Sequence, residues 1–138
     1  VCDPRSDFID DFGIQGVQLI RDMPDDAVLK HANDDSTAIV ALTHDPRIDD
    51  MGLMVALDTN AFYIGAMGST RTSASRRERL AELDISPESL DKLHAPIGLP
   101  IGSKTPPEIA IAILAEITAV KSQTKKLAEA QLQSIGAS

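Results

Sequence analysis

The chain has no tryptophan and only four aromatic rings, Phe8, Phe12, Phe62 and Tyr63, in 138 residues. Binding nucleic acid by stacking bases on aromatic platforms is therefore poorly supported. Cys2 is the single cysteine, which rules out an internal disulfide and a zinc cluster built on thiolates. A reducing, cytoplasmic compartment fits. No apolar run approaches the ~20 residues that span a bilayer, and no signal peptide is visible, so a membrane is not an expected partner. The sequence also lacks an initiator methionine and opens inside what reads as a strand, Val1-Cys2-Asp3, so it reads as a piece of a longer polypeptide.

Charge is abundant but unevenly placed. The formal net charge is −8, and residues 1–60 hold 13 acidic against 4 basic side chains, whereas the remainder is close to balance. An anionic ligand should meet the second half, because the first half repels it. There the stretch Ala61 to Leu80 stands out. A short apolar run ends at Gly65-Ala66-Met67-Gly68, passes through Ser69 and Thr70, and opens into a helical pattern carrying Arg71, Arg76, Arg77 and Arg79. It reads as strand, tight turn and helix start, where unpaired backbone N–H groups and a partial positive charge favour an anion. A plain loop followed by a solvated arginine face is the competing reading.

Elsewhere strands alternate with helices, the pattern of an α/β fold with a mostly parallel sheet. Thr37 to Leu42 reads as a central strand covered on both faces. Thr43-His44-Asp45-Pro46 follows at its carboxyl end, the edge where open parallel sheets bind ligands. Asp45-Pro46 is equally an ordinary helix start, while His44 lacks such an explanation and is a candidate ligand contact or proton carrier. Asp3 ends the first strand where a ribose-binding acid of a dinucleotide site would stand, with a loop acid as the bland alternative. Residues 6–16 read as a loop, Val17 to Arg21 as a short strand, and Pro24 to His31 as a helix. Pro96-Ile97-Gly98 and Pro100-Ile101-Gly102 form a stiff loop with open glycines, a second candidate pocket wall. Thr105-Pro106-Pro107-Glu108 is a capping box, and the helix after it is apolar nearly all round, so burial between layers or at a subunit contact is expected. From residue 122 a polar tail or helical extension follows.

Five blocks carry a resemblance: Val1-Cys2-Asp3-Pro4-Arg5, Leu42-Thr43-His44-Asp45-Pro46, Phe62 to Ser69 with the trailing Arg76-Arg77-Glu78-Arg79-Leu80, His94 to Leu99, and Thr105 to Ala110 with Ile113 to Ile117. In order they resemble the C-terminal Rossmann-like domain of the XdhC/CoxI family, the xanthine dehydrogenase accessory factors, over residues 1 to about 121. The resemblance implies a Rossmann-like three-layer domain whose first strand and glycine-rich turn are missing from this chain. It implies a non-catalytic chaperone that binds molybdenum cofactor (molybdopterin) and delivers it to a molybdenum hydroxylase such as xanthine dehydrogenase. A cysteine desulfurase and a second copy of the chain are the further implied partners. By that resemblance the cofactor-binding positions are Asp3, Arg5, Thr43, His44, Asp45, Gly65, Ala66, Gly68, Ser69, Arg71, Arg76, Gly98 and Gly102. A nicotinamide-dependent oxidoreductase, with a dinucleotide on the same sheet and His44 or Tyr63 as proton donor, is the alternative function. An interaction domain docking an acidic partner on the arginine helix is a third.

Overall fold

The computed structural model describes residues 1–136. Two compact units divide the chain, Val1–Pro96 and a second beginning at Ile97. The first holds helices α1 (Ser6–Asp10), α2 (Pro24–His31), α3 (Pro46–Ala56), α4 (Thr70–Glu82) and α5 (Pro87–Leu90), with strands β1 (Ala38–Ala41), β2 (Tyr63–Ala66) and β3 (Leu93–His94). The sheet order is β1-β2-β3, every neighbour parallel, with Val40 opposite Gly65 and Gly65 opposite His94. The architecture is α/β, as the alternation of elements predicts.

Local chemistry explains the element starts. Asp45 caps α3 by accepting from the Arg47 backbone N–H, and Pro46 fills the first helical position. Ser69 and Ser86 cap α4 and α5 in the same way, accepting from Thr72 N and Ser89 N. Leu53, Ala56 and Leu57, at helical spacing on the α3 stretch, pack with Val28, Ile64, Ala66, Leu80 and Leu93 into the buried core. Gly52 lets α2 and α3 approach, since a Cβ there would lie 3.1 Å from the Pro24 Cβ.

Three sequence expectations change. The strand expected over Val17 to Arg21 reduces to one parallel bridge, Cys2 with Ile20, because the half-exposed Val17 and Leu19 find no ladder partner among the described residues. Residues 6–10 form α1 rather than loop. β1, expected at the centre and covered on both faces, is an edge of the three-stranded sheet and only half-buried, because nothing among the described residues pairs with its other side.

In the second unit α6 (Pro106–Gly136) continues past residue 121 without a break. The capping box forms: Glu108 Oε1 accepts from the Thr105 and Lys104 backbone N–H groups. The Gly98 loop folds onto this helix, Gly98 N donating to Glu116 Oε1 and Leu99 N to Ala112 O. Ala112 and Ile113 are buried, but Ile111 and Leu114 are 60% and 63% exposed, so the helix is not covered all round. The last two residues of the expected polar tail lie outside the described residues.

Candidate functional site

Two loops meet at the carboxyl edge of the sheet. The first follows β1. Thr43 Oγ1 donates to Asp49 Oδ1 at 2.7 Å and accepts from Asp45 N, while Thr43 N donates to the same Asp49 oxygen. That triangle forces His44 between its members into the left-handed region at φ 65°. The only other described non-glycine residue with positive φ, Asp84, sits just past the end of α4, where that conformation closes a helix. His44 has no such role and is exposed, and strain of this kind gathers at ligand sites. His44→Gly is therefore expected to raise unfolding stability by about 1 kcal/mol in urea titrations while weakening ligand binding. A loss of stability would show that the imidazole holds the loop together.

The second loop follows β2. Gly65 and Ala66 are buried in the strand, the latter fully, so their amides belong to the sheet and the turn begins at Met67. Met67 N donates to Ala41 O at 3.0 Å, which sets this turn beside the β1 loop. Gly68 takes φ 157°, and a Cβ there would press on Thr72 Cγ2 at 3.3 Å. Ser69 and Arg71 are exposed on the first turn of α4, and Arg71 joins none of the ion pairs among the described residues. It is an uncompensated cation at a helix N-terminus.

Arg76 has a different place. Its side chain is 2% exposed, and it donates to Asp50 Oδ1 at 3.2 Å and to Met67 O at 3.1 Å, with Asp49 Oδ2 3.9 Å away. Asp50 also holds Arg79 at 2.7 Å. Since Asp49 grips Thr43 and Arg76 grips Met67, one buried charge network ties both loops to α3 and α4. Asp49 and Asp50 are absent from the sequence-derived site. Their adjacency on a helix and the Arg76/Arg79 spacing were the available signals, but neither names a partner. Arg77 likewise faces the protein, donating to the carbonyls of Leu90, Leu93 and Ala95.

Beside β1 lies a cavity of about 750 Å³, lined along its length by apolar residues of β1, α2 and α3, such as Val40, Val28 and Leu53. Its polar groups include Asp3, Arg5, Thr43 and His44, the last two at the carboxyl end of β1. Asp3 and Arg5 form a two-pronged pair at 3.0 and 2.8 Å, with the guanidinium 4.0 Å from the Phe8 ring centre. The Arg5 side chain, then its backbone N–H, holds the Asp3 carboxyl below its usual pKa against the opposing effect of burial. Because the folded pKa is depressed, the stabilisation is complete above the unfolded value near pH 4 and lost as pH falls through the depressed one. Thermal melts between about pH 2 and 7 should show Asp3→Asn losing less stability in acid than wild type; parallel curves would contradict the pairing. Burial raises the Cys2 thiol pKa, and its Sγ lies 3.3 Å from Asp22 O, which suits a structural thiol rather than a nucleophile.

The structure thus gathers Asp3, Arg5, Thr43, His44, Asp45, Gly68, Ser69 and Arg71 along one sheet edge or the cavity beside it. Arg76 acts beneath that edge. Gly98 and Gly102 belong to the second unit, where Gly98 lies against Ala112 and Gly102 is exposed. Tyr63 is 1% exposed and stacks on His94 with ring centres 4.7 Å apart, a core placement. No group of three or more His, Cys, Asp or Glu side chains able to hold a metal ion occurs among the described residues, and no described helix is long and apolar enough to cross a membrane.

The family profile described as "XdhC Rossmann domain" matches residues 1–117. The chain belongs to the XdhC Rossmann-domain family. The molybdenum cofactor insertion chaperone PaoD of Escherichia coli is 34% identical to this XdhC domain over 88 residues, covering 64% of the chain and 28% of PaoD. A probable xanthine dehydrogenase subunit of Bacillus subtilis is 32% identical over 109 residues, 79% of the chain and 30% of that protein. A solved structure described as a xanthine dehydrogenase from Bacillus halodurans superposes with a TM-score of 0.61 at 30% identity, covering 76% of the chain and 29% of that structure. The XdhC domain thus spans under a third of the length of each of these relatives.

Proposed function

We propose that this chain is the cofactor-holding domain of a maturation factor for a molybdenum hydroxylase, binding molybdenum cofactor at the carboxyl edge of β1 and β2 and delivering it to an enzyme such as xanthine dehydrogenase. The observation that carries the reading is Arg71, exposed and outside every ion pair among the described residues, on the first turn of α4 beside Gly68. A phosphate suits that place, because a guanidinium and a helix N-terminus both favour an anion. The cofactor's phosphate and heterocycle fit the residues present: Arg71, Ser69 and the turn amides for the anion, His44, Thr43 and Arg5 for the polar ring edge. The bound cofactor supplies the metal chemistry. The chain's own residues bind, orient and shield, which requires no catalytic group. The names of PaoD and of the Bacillus proteins support the class of partner. A cysteine desulfurase, as the source of the terminal sulfur, and a second copy of the chain belong to the same proposal.

Titration of the purified protein with molybdenum cofactor, and separately with NADH and NADPH, tests it. Retention of the cofactor without hydride turnover is the expected result. Nicotinamide binding with hydride transfer to an acceptor, and no cofactor retention, would overturn the reading in favour of an oxidoreductase.

A further inference from the structure

The outer half of α6 carries an apolar side that no described residue covers. At about 100° per residue, Ile109, Ile113, Ile117 and Val120 stand on one side of the helix, and all four are buried or half-buried. Thr124, Leu127, Ala128, Gln131 and Leu132 continue the same arc, about 140° wide, yet every residue from 121 to 135 is exposed, Leu127 and Leu132 at 67% and 70%. Lys125, Lys126 and Glu129 lie outside the arc. One apolar side is thus covered in the inner half of α6 and bare in the outer half. A free helix of this length is marginal in water, and packing of its apolar side is what stabilises it. The outer half also lies past residue 117, where the match to the shared domain stops.

We infer that the outer half of α6 pairs antiparallel with the same segment of a second copy, across a two-fold axis between Leu127 and Ala128. About that point the stripe is its own complement: Leu127 meets Ala128 of the second copy, Thr124 meets Gln131, and Val120 meets Ile135. This is the reciprocal pattern of an isologous contact, in which residue i touches j and j touches i. Thr124 Oγ1 donates to Val120 O at 2.9 Å, so its proton is satisfied within the helix and its oxygen stays open to a Gln131 amide. A polar layer of that kind fixes register. Charge selects the direction. Lys125 and Glu129 stand on one edge of the stripe, and the two-fold brings Lys125 level, to within about one residue, with Glu129 of the second copy. A parallel pair would set that edge against Gln123, Ala130 and Ser134, which carry no charge. The inference specifies the second copy named in the proposed function and rests on that part of it. The pairing needs no cofactor, so its failure leaves cofactor binding untouched.

The test is sedimentation velocity of the full chain without cofactor, together with disulfide cross-linking. A dimer is expected at about 100 μM chain. Leu127→Glu, which places charge at the centre of the contact, is expected to weaken it at least about tenfold, whereas Lys126→Glu, on the outer side, leaves it unchanged. In a Cys2→Ser background Ala128→Cys is expected to form a covalent dimer, because the two copies of residue 128 lie about 1.5 Å apart along the axis. Thr124→Cys and Gln131→Cys alone are not, since each lies about 10 Å from its own mate, but mixing those two proteins is expected to link them. A monomer at that concentration overturns the inference, as does a dimer indifferent to Leu127→Glu. Cross-links of equal yield at all three single positions overturn it too, by showing a parallel pair.

Discussion

Arg76→Ala is expected to cost about 3–5 kcal/mol of unfolding free energy, the scale for stripping one member from a buried ion pair. The variant leaves Asp49 buried without a cation, Asp50 with Arg79 alone, and Met67 O without its donor. For a domain of ordinary stability, about 5–15 kcal/mol, that is a large part of the whole. The damage is directional: Thr43 hangs from Asp49 and the Gly68 turn from Met67, so both loops loosen together. Arg76→Lys keeps the charge but not the three-way geometry and should recover part of the loss. Urea unfolding at neutral pH checks both variants. A change below about 1 kcal/mol for Arg76→Ala would mean that the network carries no weight.

Arg71→Ala is expected to behave in the opposite way. Its guanidinium is exposed and has no carboxylate partner among the described ion pairs, so the melting temperature should stay within a degree or two. Cofactor retention should fall about tenfold to a hundredfold, the worth of one charge-assisted hydrogen bond of roughly 1.5–3 kcal/mol to an anion. Equilibrium dialysis with molybdenum cofactor measures it, and raising the ionic strength should weaken wild type more than the variant. Unchanged retention would move the anion elsewhere. The two arginines, on one helix, separate holding the site from touching the ligand.

That separation is not legible in the sequence. Arg71 and Arg76 read alike as cations after a glycine turn, because Asp50, which claims Arg76, lies 26 residues away and nothing local announces it. Signals that act over three or four residues do appear: Asp45-Pro46, Ser69 and the Thr105/Glu108 box each start a helix where expected. The continuous apolar run from Ala38 to Ala41 identifies β1 as a strand, yet a run of that kind says nothing about whether both neighbours are present. The same limit explains α6, whose apolar composition promises cover that Ile111 and Leu114 do not have. His44 stands out in the sequence for want of a bland explanation, but its positive φ is a separate feature that no residue pattern announces.

The most direct measurement is hydrogen exchange on the chain with and without molybdenum cofactor, resolved by segment. The account predicts slower exchange at residues 43–45 and 67–72 on cofactor addition, with the outer turns of α6 unaffected. Protection that leaves both loops unchanged while cofactor is demonstrably bound would contradict it.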